Sequence, residues 1–293
     1  MEERNMEDIL RPIYQERASS PSTLGILLVE KKYVKKEITD TFDFVLLVIT
    51  ENDEQLMHVK HYSYHDKKAV LYTFNKDLVQ EWLLLGSSRR LTEWLHNGRI
   101  IFDRNESIST LKEEIKEFPF YGRKLKKGIE FSKLIRRYTD GKVFFEQDQY
   151  LDAYNHIVHS LHHLARLEII EKGFYPEVTV WDQVKYIGPQ IYKLYEELIT
   201  SEESLDKRLE LLFLAIEFLI YSRTEIGVEH FVGVISSKEE SWTIDEMYNH
   251  PELKHYALDL PVMIEYLIEK EIVEVVKIET KGNEVFHRLY QIR

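Results

Sequence analysis

The residue in this sequence best placed to do chemistry is Asp43. The residues from Phe42 to Ile49 are otherwise continuously apolar, as in a central strand covered on both faces. A carboxylate one residue into such a run must sit at an edge of the sheet or be paired, because burying it alone is costly. Asp40 lies three residues earlier, and Gly25 precedes both. A second concentration of charge begins after Gly122: Arg123, Lys124, Lys126, Lys127, Lys133, Arg136 and Arg137 surround a single acid, Glu130. In a chain of formal charge -12 this is the densest positive patch. It reads either as a solvated helix face or as a phosphate-binding edge at a cleft between domains, where Lys126, Lys127 and Arg137 would gather a nucleotide or other anionic ligand. A third group is His156, His159, His162 and His163. His159 and His163 are four apart, a spacing that can chelate a transition metal. No HExxH pattern or carboxylate at fixed spacing accompanies them, so the expectation is a polar helix face or partly buried histidines, with no zinc, haem or flavin.

The elements that would position these residues follow from periodicity. Met6, Ile9, Leu10 and Ile13 keep helical spacing ahead of a break around Pro21. Gly25 to Val29 reads as a strand, Val34 to Thr39 as a second short one, and Phe42 to Ile49, within the stretch Ile38 to Thr50, as the central strand. Met57 to Tyr64 and Ala69 to Phe74 read as a hairpin. Asp77 to Leu85 reads as a helix with Gly86-Ser87 as its C-terminal cap, Leu91 to Leu95 as another, and Arg99 to Asp103 as a further strand. Residues 1–120 therefore form an α/β domain of mixed strands and helices. Residues 121–224 are helical: a stripe from Tyr150 to Ile169 ended by Gly173, then Ile187 to Ile199 and Leu205 to Tyr221, fit a bundle of four to five helices. Residues 225–293 run helix, helix, helix, hairpin, with Thr243 or Ser241 capping the second helix ahead of Asp245 and Glu246, a third helix from Leu258 to Lys270, and strands flanking Thr280 to Asn283. The fold class is α+β: a mixed-sheet domain, a helical bundle and a C-terminal winged helix.

The first domain resembles the nucleotidyltransferase-like superfamily of the DNA polymerase beta type. Its signature is a glycine followed by Gly or Ser, about ten residues, then Asp, an apolar residue, Asp or Glu, and an apolar strand. Leu24-Gly25-Ile26 and Thr41-Phe42-Asp43-Phe44-Val45 stand in those places, with a somewhat longer gap. Gly25 and Asp43 match; Ile26 replaces the small phosphate-contacting residue and Thr41 the first carboxylate. The resemblance implies magnesium with a nucleoside triphosphate, Asp43 and Asp40 as the metal-binding and catalytic acids, and Gly25 beside the phosphates. It also implies a third carboxylate on a later strand. Met57 to Tyr64 and Ala69 to Phe74 contain no acid; Asp66 and Asp77 flank them, and Asp103 ends a later strand. Two bridging metal ions need about three carboxylates. The expectation is a nucleotide-binding or regulatory protein with little or no transfer; the alternative is an active magnesium-dependent nucleotidyltransferase acting on a small-molecule or protein acceptor. The helical segment is similar in architecture to the substrate-binding domain of kanamycin nucleotidyltransferase, and the whole chain resembles the nucleotidyltransferase-like proteins of Gram-positive bacteria. An Arg-to-His spacing known from ribonucleases of related helical domains recurs at Arg90 to His96 and Arg223 to His230, and reads as chance.

Composition narrows the setting. With 44% apolar and 12% aromatic residues the 293-residue chain can fill several cores. The absence of cysteine excludes disulfides and thiolate metal sites. The acidic start MEERNMEDIL and the lack of any run of about 18 apolar residues point to a cytoplasmic protein without membrane contact. A net negative chain is a poor general nucleic-acid binder. From Thr224 to Arg293 there are 14 acids against 7 bases, so DNA is an unlikely partner of the winged helix, while a protein partner or a second copy of the chain fits a packing module.

Overall fold

The apolar run forms β2 (Phe44–Thr50), every residue of which is buried. In the computed structural model the residues described are 6–33, 36–51, 55–85, 88–117 and 120–293. The chain divides into two compact units, Met1–Pro119 and Phe120–Arg293. The first contains, in chain order, α1 (Met6–Ser19), β1 (Thr23–Glu30), α2 (Lys36–Thr39), β2, β3 (Met57–Tyr64), β4 (Lys67–Asn75), α3 (Lys76–Leu85), α4 (Arg89–Asn97), β5 (Arg99–Asp103) and α5 (Ser107–Glu117).

The sheet order is β3-β4-β2-β1-β5. β2 runs parallel to β4 and antiparallel to β1, and the remaining pairs are antiparallel, which makes the sheet mixed. Side chains alternate between faces along a strand. Ile26, Leu28, Leu46, Val48 and Leu71 pack with Leu10 and Tyr14 of α1, while Gly25 and Leu27 look toward Ile108 and Gly98 on the other side. Cover on both faces explains why β2 reads as an unbroken apolar run.

Two sequence expectations shift. Asp43 is not inside the strand: β2 begins at Phe44. Lys36–Thr39 is a single helical turn rather than a strand, held by the Trp94 indole N–H donating to the Ile38 carbonyl at 2.7 Å; residues 34–35, like Gly86-Ser87, lie outside the described residues.

The second unit is built on α6 (Phe120–Glu146), a helix of 27 residues. It continues with α7 (Tyr150–Glu171), α8 (Val180–Ile187), α9 (Pro189–Thr200), α10 (Leu205–Ser222), α11 (Thr224–Ile235), α12 (Ile244–Asn249), a 3-10 segment Leu253–Asp259, α13 (Leu260–Glu269), β6 (Val273–Glu279) and β7 (Phe286–Ile292). Thr243 forms the expected capping box with Glu246. Helix α13 starts two residues later than its sequence pattern suggests, with a proline in its first turn, where the missing N–H is harmless. Helices α7, α10, α11, α13 and the 3-10 segment all pack on α6, so the bundle and the winged helix share one core. Phe131 of α6 meets the Tyr266 ring edge-on at 5.7 Å.

A Cβ added at Gly25 would come within 2.1 Å of Ile108 Cγ1 and 3.0 Å of the Phe102 carbonyl oxygen. Overpacking of this kind costs about 1–3 kcal/mol. Gly25→Ala is therefore expected to lower the melting temperature measurably, and thermal unfolding followed by circular dichroism checks it.

Candidate functional site

The first candidate site is the end of the sheet where β1 finishes and β2 and β4 begin. Asp43 extends the ladder past β2: its N–H donates to the Lys68 carbonyl at 2.8 Å and its carbonyl accepts from the Lys31 N–H at 2.9 Å. Its carboxylate accepts from the Lys68 N–H at 2.9 Å. Asp40, with φ at 57° in the turn after α2, ion-pairs with Arg90 at 3.1 Å. Asp66 lies at the tip of the β3–β4 hairpin.

The other residues expected to act with them are at the opposite end. Gly25 pairs with Ile49 and with Asp103, whereas Glu30 is the residue paired with Phe44. Gly25 and Asp43 are thus separated by about six strand residues, roughly 20 Å along the sheet. The glycine is a packing position under Ile108 and does not share a ligand with Asp43. Asp103 is consumed as a cap on α5, accepting from Ile108 N–H at 2.8 Å, Ser109 N–H at 3.0 Å and the Ser109 hydroxyl at 2.6 Å. Asp77 begins α3, beyond the far end of β4. The residues beside Asp43 at the end of β1 are Glu30 and Lys31, about ten residues ahead of Thr41. They occupy the place where the signature needs a small phosphate-contacting pair, and Glu30 brings an acid there. The long gap counted from Gly25 was the signal in the sequence. At this end of the sheet Asp43 accepts from a backbone N–H and Asp40 pairs with Arg90, and among the described residues no group of three His, Cys, Asp or Glu converges to hold a metal.

The basic stretch on α6 is neither one exposed strip nor one phosphate edge. Lys124 and Lys127 reach Glu229 of α11 at 2.7 and 3.5 Å, and Arg136 binds Asp259 and the Leu258 carbonyl. Lys126 is only 3% exposed, with its ammonium 4.5 Å from the Tyr175 ring centre; burial pushes its pKa down to about 8. These side chains radiate around a helix that is packed on several sides. Arg137 differs from them, having no hydrogen-bond or ion-pair partner among the described residues.

Arg137 belongs to the seam where α6 and α7 lie antiparallel. Glu130 is buried there, with His163 Nδ1 at 2.7 Å and Arg166 Nη1 at 3.7 Å. Burial alone would raise the Glu130 pKa, but the bond to His163 and the charges of His163, Arg166 and Lys133 together hold it at about 2. His159 is exposed on the same stripe, and its pKa is lowered by burial of part of the ring and by Arg137, His163, His156 and Arg166 around it. His162 faces elsewhere, accepting from the Trp181 indole at 3.1 Å. The four histidines are thus divided between two faces of α7. Arg223 and His230 also go separate ways, Arg223 to Glu168 at 2.5 Å and His230 to the Tyr256 hydroxyl at 3.1 Å.

Three family models match consecutive parts of the chain: nucleotidyltransferase-like over residues 6–123, YgxA-like substrate binding domain over 124–223, and helix-turn-helix domain over 229–292. The chain is 51% identical over 288 residues to the uncharacterized protein YgxA of Bacillus subtilis (strain 168), covering 98% of each. It also matches the crystal structure of a nucleotidyltransferase-like protein from Exiguobacterium sibiricum 255-15, with a TM-score of 0.85, 37% identity, and coverage of 98% of this chain and 99% of that one.

Because the folded Glu130 pKa lies below its ordinary value of 4.5, its contribution is fully present above that value and is lost as pH falls toward 2. Glu130→Gln is expected to cost roughly 3 kcal/mol at pH 7. The difference from wild type should shrink between pH 5 and about 2, which urea unfolding across that range would measure.

Proposed function

This chain belongs to the nucleotidyltransferase-like family that carries a YgxA-like substrate-binding domain and a C-terminal helix-turn-helix domain, and from that premise we propose that it is a ligand-binding, regulatory protein that uses the fold without metal-dependent transfer. The observation carrying this reading is the state of the sheet end at Asp43. Nucleotidyl transfer depends on metal ions that neutralise the triphosphate and stabilise the attacking and leaving oxygens. Here Thr41 replaces one acid, Asp40 is held by Arg90, and Glu30, the acid beside Asp43, is paired with Arg99 at 4.0 Å. The ligand in this reading is a nucleotide or another anion. The helical domain supplies the binding surface, consistent with the substrate-binding description of its family model.

The C-terminal domain is assigned a packing role in the same reading. Leu260, Met263, Ile264, Tyr266 and Leu267 of α13 are buried, and the Tyr266 hydroxyl bonds Thr224 at 2.6 Å. A helix entering a major groove needs exposed donors for bases and cations for phosphates, and this one offers Glu265 and Glu269 instead.

Incubation of the full-length protein with magnesium, a labelled nucleoside triphosphate and small hydroxylated acceptors is expected to give no transfer above a protein-free control. Turnover that disappears in Asp43→Asn would contradict the reading and favour an active transferase. In a second measurement, fluorescence anisotropy of random duplex DNA titrated with the full chain at low salt should show no sub-micromolar binding; tight binding with a steep salt slope would return the winged helix to a DNA-reading role.

A further inference from the structure

We propose that the seam between α6 and α7 is an anion-binding site for linked phosphate groups, with Arg137 and His159 at its open end and Arg166 and His163 at its inner end. The proposal rests on the ligand-binding reading above and gives it a location and a ligand class. On α6, Glu130, Lys133 and Arg137 follow one another at spacings of three and four; on α7, His156, His159, His163 and Arg166 do the same. Residues at these spacings share a helix face. The antiparallel register is fixed by His163 and Arg166 opposite Glu130 and by His156, which lies against Gly141 and the Phe144 ring. That register sets Arg137 opposite His159.

Charge is unevenly spread along this stripe. In its middle Lys133, Arg137 and Arg166 stand with one carboxylate, Glu130, whose partners already hold it ionised, whereas Asp140 and Asp152 follow at the same spacings toward one end. Cationic side chains are thus gathered around His159 in a chain whose formal charge is -12. Concentrating like charge is unfavourable unless an anion relieves it. Hydrogen-bonding capacity is also left over: Arg166 Nε and His156 Nδ1 are shielded from solvent without a hydrogen-bond partner among the described residues, and such buried polar atoms normally find one. Arg137 adds a guanidinium without a hydrogen-bond or ion-pair partner among the described residues.

The shape favours phosphates over a single carboxylate. From His159 to Arg166 the helix rises about 10 Å, which a chain of two or three phosphates can follow and a lone carboxylate cannot. Guanidinium groups match phosphate oxygens through paired N–H donors, and two of them bracket the stripe. No metal is needed, because the counter-charge comes from the side chains.

The test is isothermal titration of the full-length protein with inorganic tripolyphosphate in EDTA at low salt. Binding is expected, with a loss of at least tenfold in Arg137→Ala, a smaller loss in His159→Ala and no change in Lys207→Ala, an exposed lysine on α10. Because Arg137 has no partner to lose, Arg137→Ala should melt with the wild type. As an independent readout, NMR titration of the histidines should show the His159 pKa rising when tripolyphosphate saturates the protein, since a nearby anion favours the imidazolium. No binding to wild type, equal binding by Arg137→Ala, or an unmoved His159 would each overturn the assignment. Those failures leave the metal-free reading untouched, since it is decided by the transfer assay; turnover in that assay would in turn leave the seam to be judged on tripolyphosphate alone.

Discussion

Helix α6 is enclosed on most of its sides, and the second unit follows from the need to find partners for most of the charges it carries. At 27 residues it is about 40 Å long, and it is covered by α7, α10, α11, α13 and the 3-10 segment. A basic residue on such a helix cannot simply turn to water. Lys124 and Lys127 draw Glu229 onto it, Arg136 draws Asp259, and Glu130 draws His163 and Arg166. Two of these links reach the winged helix, which ties its placement on the bundle to the charges of α6 as well as to the apolar contacts of Phe131 and Tyr266. Exposed ion pairs are worth little each, so the apolar packing supplies most of the stability and the pairs select its register.

At the sheet, polarity along β1 and β2 separates what the family signature brings together. An antiparallel pair places the end of one strand beside the start of the next, so the residues beside Asp43 are Glu30 and Lys31, while Gly25 sits at the far end against α5. The acids sort in the same way: Asp40, Asp43 and Asp66 at one end, Asp77 and Asp103 at the other. Asp43 itself acts as a backbone anchor between the first residues of β2 and β4.

Much of this was legible in the sequence. The apolar run of β2, the β3–β4 hairpin, the long helices and the Thr243 cap each announce themselves through period, turn residues or a local hydrogen bond, and they hold in the structure. The turn at Lys36–Thr39 is hidden in the sequence because four residues are too few to show a period. Gly25 is ambiguous there because a glycine needed for close packing looks the same in sequence as one needed beside a phosphate. Lys126 is ambiguous for a related reason: a cluster of lysines and arginines marks a solvated face only when the helix has one, and how many neighbours α6 has is set by residues as distant as Tyr266. The seam joins Arg137 to His159 and Glu130 to His163, and a separation of some twenty to thirty residues along the chain leaves no local spacing by which to find it.

The proposed binding of anions by side-chain charge, without metal-dependent chemistry, bears directly on how ATP associates with the protein. The most direct measurement is the affinity for ATP of the full-length protein, determined by titration calorimetry once with magnesium and once with EDTA. Binding at least as tight is expected in EDTA, where the triphosphate keeps its full charge. Binding that requires magnesium and is lost in Asp43→Asn would contradict it.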